Sequence, residues 1–252
     1  MKYSSFSSAE DSHRHSLQTL NVLYEYDDFM ESVGRLVDLG CGLEARDLEW
    51  WATRTTRGEE QIPLNIQCVG TDLFPGLSTQ HKNISYQKLN IESYDTAKRG
   101  FDVLWCHDTF QYLLNPYQAL RNWYNIANND GMLVLALPQT VNMEYNTQAF
   151  DLPMGHFYNY TMTTLIYMLA VNGWDCASGF FKKDPGDPWL HAIVYKSNIE
   201  PMDPLETNWY ALAETGLLPE TATASIIKHG KCRQRDLVLP WLDKSNTWMG
   251  QQ

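Results

Sequence analysis

The chain has 252 residues, enough for one domain with additions or at most two, and enough to bury a sizeable core. Its formal net charge of −11 argues against a general binder of nucleic acid or membrane surface. No apolar run reaches the roughly 18 residues a membrane span needs, and residues 1–12 are too polar for a signal peptide's core.

In chain order, the Ser-rich residues 1–12 read as a mobile start. Residues 16–30 read as a helix, with Leu20, Leu23 and Tyr24 among its apolar positions. His13 and His15 are spaced like strand neighbours but have no identifiable third partner, so no metal site is expected. The apolar run 33–39 ends in Gly40 and Gly42, and a helical pattern follows over 45–54. That is strand, tight turn, helix. Glycines let such a turn be sharp and let a ligand approach the backbone closely. The helix then opens with N–H groups aimed at whatever lies over the turn.

After the charged stretch 53–63, residues 66–71 form a second apolar run that ends in Asp72. In doubly wound sheets an acid at this place bonds ribose hydroxyls. Residues 84–89 alternate as a third strand, followed by Asn90, Ile91 and Glu92, and 101–106 read as the fourth. His107 and Asp108 leave its carboxyl end, where ligands of open α/β sheets bind. Asn115-Pro116 starts a helix over 117–127, Asn129-Asp130-Gly131 stops it, and 132–137 is a central strand. A loop over 139–153 leads to His156, Phe157 and Tyr158 and a helix over 162–171. Residues 174–181 and 189–195 read as a terminal hairpin turning at 184–188. Two short helices are expected at 209–215 and 219–229, with a basic cluster of Lys228, His229, Lys231, Arg233 and Arg235 that reads as a solvated surface or as contact with a phosphate-bearing or acidic partner.

The five cysteines, Cys41, Cys68, Cys106, Cys176 and Cys232, are scattered without a Cys-x-x-Cys pair, which predicts free thiols in a reducing cytoplasm. The glycine turn also fits the dinucleotide fingerprint, read as Gly40, Gly42 and Ala45. A pyrophosphate there would meet the carboxylates of Asp38 and Glu44. A ligand with an amino group and a sulfonium suits them better, and S-adenosylmethionine is such a ligand.

Val37-Asp38-Leu39-Gly40-Cys41-Gly42 resembles the first motif of the class I S-adenosylmethionine-dependent methyltransferases, and Val69-Gly70-Thr71-Asp72 the second. The resemblance covers roughly residues 33–196. It implies an α/β fold, a doubly wound, mostly parallel seven-stranded Rossmann-like sheet whose last strand is antiparallel. Residues 1–32 would be a cap-helix region, 33–196 the methyltransferase domain and 197–252 an extension, a possible interaction element. It implies S-adenosylmethionine as cofactor, held by Asp38, Gly40, Cys41, Gly42, Asp72, Leu73, Asn90, Ile91 and His107, with the Asn90 carbonyl at the adenine amino group. It implies methyl transfer to a hydroxyl or amine of a small-molecule acceptor. His107, Asp108 and His156 are the candidate catalytic groups; for the two histidines the alternative is a packing role. Tyr24, Tyr26, His107, His156, Phe157 and Tyr158 would build an aromatic acceptor wall above the strand ends.

Two rival classes stand beside this reading. One is a binding or assembly module that holds the cofactor without catalysis; the other is an NAD-dependent oxidoreductase, against which the acidic flanks and the terminal hairpin count. Duplex DNA is not the expected substrate: the turn after the fourth strand reads His107-Asp108-Thr109-Phe110, not an Asp/Asn-Pro-Pro-aromatic turn, and the chain has no Pro-Cys pair.

Overall fold

The computed structural model describes residues 9–25, 29–57, 59–73, 76, 80–94, 100–138, 157–158, 160–183, 189–242 and 248–249; for residues 9–15, 29 and 248 it describes the backbone only. One seven-stranded sheet organises them. Its strands are β1 (Arg35–Leu39), β2 (Gln67–Asp72), β3 (Ile84–Lys88), β4 (Phe101–His107), β5 (Ala127–Pro138), β6 (Trp174–Lys183) and β7 (Trp189–Lys196). The order across the sheet is β3-β2-β1-β4-β5-β7-β6. β1 to β5 pair in parallel, and β7 runs antiparallel to both β5 and β6. This is the doubly wound sheet with a reversed last strand that the resemblance implied.

The strands alternate between two apolar layers with the period of two that a pleat imposes. Val37, Leu39, Leu104, Cys106, Leu133 and Leu135 point into one layer. Leu36, Val103, Trp105, Met132 and Val134 point into the other. The first layer is covered by α4 (Pro116–Ile126), α5 (Met162–Val171), α6 (Trp209–Glu214) and α7 (Glu220–His229). The second is covered by α1 (Ala9–Glu25) and α3 (Arg46–Ala52), with the single turn α2 (Phe29–Ser32) leading into β1. Buried tryptophans fill both layers, Trp123 and Trp174 in one and Trp51 and Trp105 in the other. Each large apolar side chain so buried contributes about 1.5–3 kcal/mol.

The helix ends are set locally. Pro116 opens α4, whose N-cap Asn115 accepts from Gln118 N–H. The Glu92 carboxylate receives the Leu114 and Asn115 N–H groups just before it, at 2.7 and 2.9 Å. Thr161 and Thr164 form a reciprocal capping box for α5.

Two boundaries differ from expectation for stated reasons. α1 starts at Ala9, seven residues before the expected start at 16, and stops at Glu25. Its Ser16 and Thr19 look polar in sequence but face inward, bonded to Asp47 (2.6 Å) and His191 (2.9 Å). The stretch 129–131 reads as a stop yet belongs to β5, which follows α4 directly. There Phe101 pairs with Ala127 but Val103 with Met132, so the extra residues bulge outward, and Asn128 Nδ2 ties the bulge to Asp102 at 2.5 Å.

Residues 199–239 continue the first layer, while Trp241 and Leu242 join the second. Leu212, Leu217, Leu218, Ala222, Ile226, Leu237 and Leu239 share one core with the sheet. Along β6, Cys176 N–H donates to Leu217 O at 3.0 Å and Phe181 N–H to Pro240 O at 2.8 Å. β8 (Val238–Leu239) and β9 (Trp248–Met249) form a small antiparallel ribbon alongside.

Candidate active site

Strand order reverses beside β1, between its neighbours β2 and β4. Chains leaving the carboxyl ends there part to opposite faces, and the crevice so made is where open α/β sheets bind ligands. The glycine turn sits at this point. Gly40 and Gly42 adopt φ of 91° and 65°, and Ala45, at φ 49°, leads into α3. Gly40 and Cys41 both donate their N–H to Thr71 O, at 2.9 and 3.1 Å. A Cβ on Gly40 would lie 2.3 Å from Thr109 Cγ2, so only glycine lets the turn after β4 close onto the turn after β1. The Thr109 hydroxyl donates to Gly40 O at 3.2 Å. A Cβ on Gly42 would meet nothing within 4 Å; the backbone there borders open space.

Asp72 closes the other side. Its Oδ2 accepts from Gly42 N–H at 2.9 Å and its Oδ1 from Leu73 N–H at 2.7 Å. Asp38 is buried, and its main-chain carbonyl accepts from the Thr71 hydroxyl at 2.8 Å. Burial first, and then the negative charges of Asp47 and Asp72, push its carboxyl well above the usual range. Asp47 is a site residue that sequence reasoning missed. It lies in the first turn of α3, and its two oxygens accept from Ser16 Oγ (2.6 Å) and Trp105 Nε1 (2.9 Å). Its only sequence signal was a carboxylate at a helix start nine residues after Asp38. Glu44, expected to act with Asp38, instead pairs with Arg46 at 2.8 Å. Burial first, then Asp38 and Asp72, also pushes the Cys41 thiol up, which keeps it neutral.

An acidic, desolvated niche beside a glycine turn fits a cationic ligand and repels a pyrophosphate. The two positive centres of S-adenosylmethionine meet that requirement. The other residues expected at the cofactor lie around the same crevice. Leu73 is exposed just past β2. Asn90 and Ile91 follow β3, with Ile91 buried. The Asn90 side-chain oxygen, expected at an adenine, caps the next turn by accepting Glu92 N–H at 3.0 Å. Its second lone pair is compatible with the expected role.

His107 ends β4 and is buried between two indoles. It stacks on Trp189 at 5.0 Å and on Trp105 at 6.2 Å, with planes within 12° and 10°. Asp108 follows in the left-handed region at φ 53°, with its N–H held by Ala136 O at 2.8 Å. Gln111 Nε2 donates to Asp108 Oδ1 at 2.6 Å. The later segment packs on this turn: Phe157 N–H donates to Gln111 O (3.0 Å) and the Tyr158 hydroxyl to Leu114 O (2.9 Å). Thus Phe157 and Tyr158 pack on the turn after β4, and that turn meets the glycine turn through Thr109. Tyr24 does not join them. It packs edge-on against Trp50, with its hydroxyl 3.4 Å from Thr55 O, at the far end of α3. Tyr26 and His156 lie outside the described residues. His13 and His15 fall within α1, where only the backbone is described.

The basic cluster gathers around Asp236. Arg233 Nε and Ser225 Oγ donate to its Oδ2, at 3.0 and 2.6 Å, and His229 Nε2 is 3.7 Å away. The Ser225 and Arg233 bonds hold its carboxyl below the usual range. The cluster therefore ties the end of α7 to residues 231–236.

Residues 37–135 match the family model described as a methyltransferase domain. No curated protein sequence matches the chain. Among solved structures, one from Listeria monocytogenes assigned to the S-adenosylmethionine-dependent methyltransferases is 16% identical, with TM-score 0.54, 73% of this chain and 100% of that one covered. The plantazolicin methyltransferase BpumL, in complex with SAH, is 14% identical, with TM-score 0.53 and 77% and 92% covered. The 1,6-didemethyltoxoflavin-N1-methyltransferase of Burkholderia thailandensis is 12% identical, with TM-score 0.50 and 77% and 94% covered. At such identities these likenesses speak to the fold, and the sequence match speaks to the family. Strand order, glycine turn and family model together identify residues 37–135 as a methyltransferase domain of the class I, S-adenosylmethionine-dependent kind.

Proposed function

We propose that the chain transfers the methyl group of S-adenosylmethionine to a hydroxyl or amine of a small-molecule acceptor. The observation that carries this reading is the bond from Gly42 N–H to Asp72 Oδ2, which joins the glycine turn to the acid ending β2. When bound, S-adenosylmethionine supplies a methyl group on a cationic sulfur, open to in-line displacement. The chain's task is to orient the two reactants and exclude water. Asp72 accepts the ribose hydroxyls, Asn90, Ile91 and Leu73 border the adenine, and Asp38 faces the amino group, with Gly40, Cys41 and Gly42 beneath. His107 or Asp108 takes the proton from the nucleophile, and His156 is a further candidate base. The small-molecule acceptor is supported by the aromatic residues Phe157 and Tyr158, whose segment packs against the post-β4 turn, and by neighbours named for small acceptors such as 1,6-didemethyltoxoflavin.

Calorimetry with S-adenosylmethionine, S-adenosylhomocysteine and NAD tests the cofactor. We expect both adenosyl ligands to bind at lower concentration than NAD; the reverse order overturns the assignment. Asp72→Ala should weaken adenosyl binding by about 1–3 kcal/mol, because charge-assisted hydrogen bonds to both hydroxyls are lost. Unchanged affinity would move the ribose elsewhere. A cofactor-binding module without catalysis is recognised by the same affinities with no turnover on any acceptor.

A further inference from the structure

Gln111 is the middle residue of the single turn Phe110–Tyr112 that follows β4, and its side chain is fully buried. Its amide is polarised in one direction. Nε2 donates to Asp108 Oδ1 at 2.6 Å, which marks the other amide atom as the oxygen, and the side chain also donates to the Tyr112 phenol. Oε1 is buried and has no hydrogen-bond partner among the described residues. A carbonyl taken out of water with nothing to accept from is destabilising, and native structures rarely retain one without a use. A second polar atom in the same condition lies on the segment that packs against this turn. The Tyr160 hydroxyl is buried without a partner, and its ring lies 5.2 Å from Phe110 and 6.2 Å from Tyr158. Burial pushes the Tyr160 phenol up, so its proton stays on.

The location points to one ligand. Thr109, two residues before Gln111, touches the glycine turn through Gly40 O. Gln111 is bonded to the candidate base Asp108, its main-chain carbonyl accepts Phe157 N–H at 3.0 Å, and the rings of Phe110, Tyr158 and Tyr160 lie together on the same two segments. We infer that Gln111 recognises the methyl acceptor: its Oε1 accepts a hydrogen bond from an N–H or O–H of a planar, aromatic acceptor, while its Nε2 fixes the Asp108 carboxylate beside that group. This deepens the proposed function and rests on it. A site built around a buried acceptor oxygen discriminates against analogues that lack the donor, because the oxygen is then left unpaired.

Indole and benzofuran are matched probes, since they share shape and only indole carries an N–H. Their binding to the full chain, saturated with S-adenosylhomocysteine, is read by saturation-transfer NMR. We expect indole to bind about tenfold more tightly than benzofuran, the size of one net hydrogen bond. Gln111→Met should abolish that preference and leave S-adenosylhomocysteine affinity unchanged. Equal binding of the two probes to the unaltered protein, no binding of either, or a preference that survives Gln111→Met overturns the inference. The two readings fail separately. Loss of the probe preference with intact S-adenosylhomocysteine binding removes only the role of Gln111. Absence of S-adenosylhomocysteine binding removes the methyltransferase reading and this one with it.

Discussion

Asp38 and Asp236 are carboxylates at opposite ends of the chain, and their surroundings push them in opposite directions. Asp38 is buried at the end of β1, with Asp47 and Asp72 as the charges it feels, and its carboxyl is raised. Asp236 receives Ser225 and Arg233, and its carboxyl is lowered. The second arrangement is complete by itself and works as a fastening. The first is complete only when something positive arrives. Stability is spread unevenly for that reason: the fastening adds to the folded state, whereas the niche at Asp38 subtracts from it until a ligand enters.

The largest effect should come from breaking the niche at its base. In Gly40→Ala the new Cβ meets Thr109 at 2.3 Å and keeps a φ of 91°. We expect about 2–4 kcal/mol of destabilisation in chemical denaturation, from steric overlap and left-handed strain together. Adding Thr109→Gly, which also removes the Cβ that would lie at 2.8 Å, should recover part of it; no recovery would mean that strain dominates.

Asp38→Asn sharpens the comparison directly. Removing the buried charge should raise the melting temperature of the ligand-free protein by about 2–4 °C, equivalent to roughly 1 kcal/mol, while weakening S-adenosylmethionine binding about tenfold. The pH dependence has a definite sign. A raised carboxyl is still protonated in the folded chain when the unfolded chain has lost its proton. Ligand-free stability therefore falls as pH rises from the ordinary value of 3.8 towards the raised one. A cation beside Asp38 expels that proton, so cofactor affinity should rise with pH across the same window, and the Asn variant should flatten the rise. Calorimetry at several pH values reads both.

The smallest effect belongs to the fastening. Ser225→Ala removes the 2.6 Å bond to Asp236 and should lower the melting temperature by about 2 °C, with S-adenosylhomocysteine affinity unchanged. Asp236 has a lowered carboxyl, so its contribution is present above the ordinary value of 3.8 and disappears as pH falls below it. A change in cofactor affinity would show that the two regions communicate.

The fold was legible because its signals are local. Apolar runs of strand length ended in Gly40, Asp72 and His107, and every expected strand of the large sheet is found within a few residues. The glycine turn and Asp72 were legible for the same reason. Asp47, Thr109 and Trp189 were not, because each acquires its place through a contact distant in sequence: Asp47 through Ser16 and Trp105, Thr109 through Gly40, Trp189 through His107. Tyr24 misled in the opposite way. Its helix borders the site, but Tyr24 lies two turns beyond Ser16 and packs edge-on against Trp50 instead.

The two carbonyls that meet β6, Leu217 O and Pro240 O, bear on how this molecule behaves in a crowd. β6 is the border strand of the sheet, and a border strand offers its outward N–H groups to any other strand that drifts past. Here Cys176 and Phe181 have already given theirs to residues 217 and 240. The opposite border, β3, is five residues long and carries Ser85, Gln87 and Lys88, a poor template for stacking. Residues 197–242 thus keep the sheet from recruiting its own copies, and a chain cut after residue 196 should lose solubility before it loses its strands.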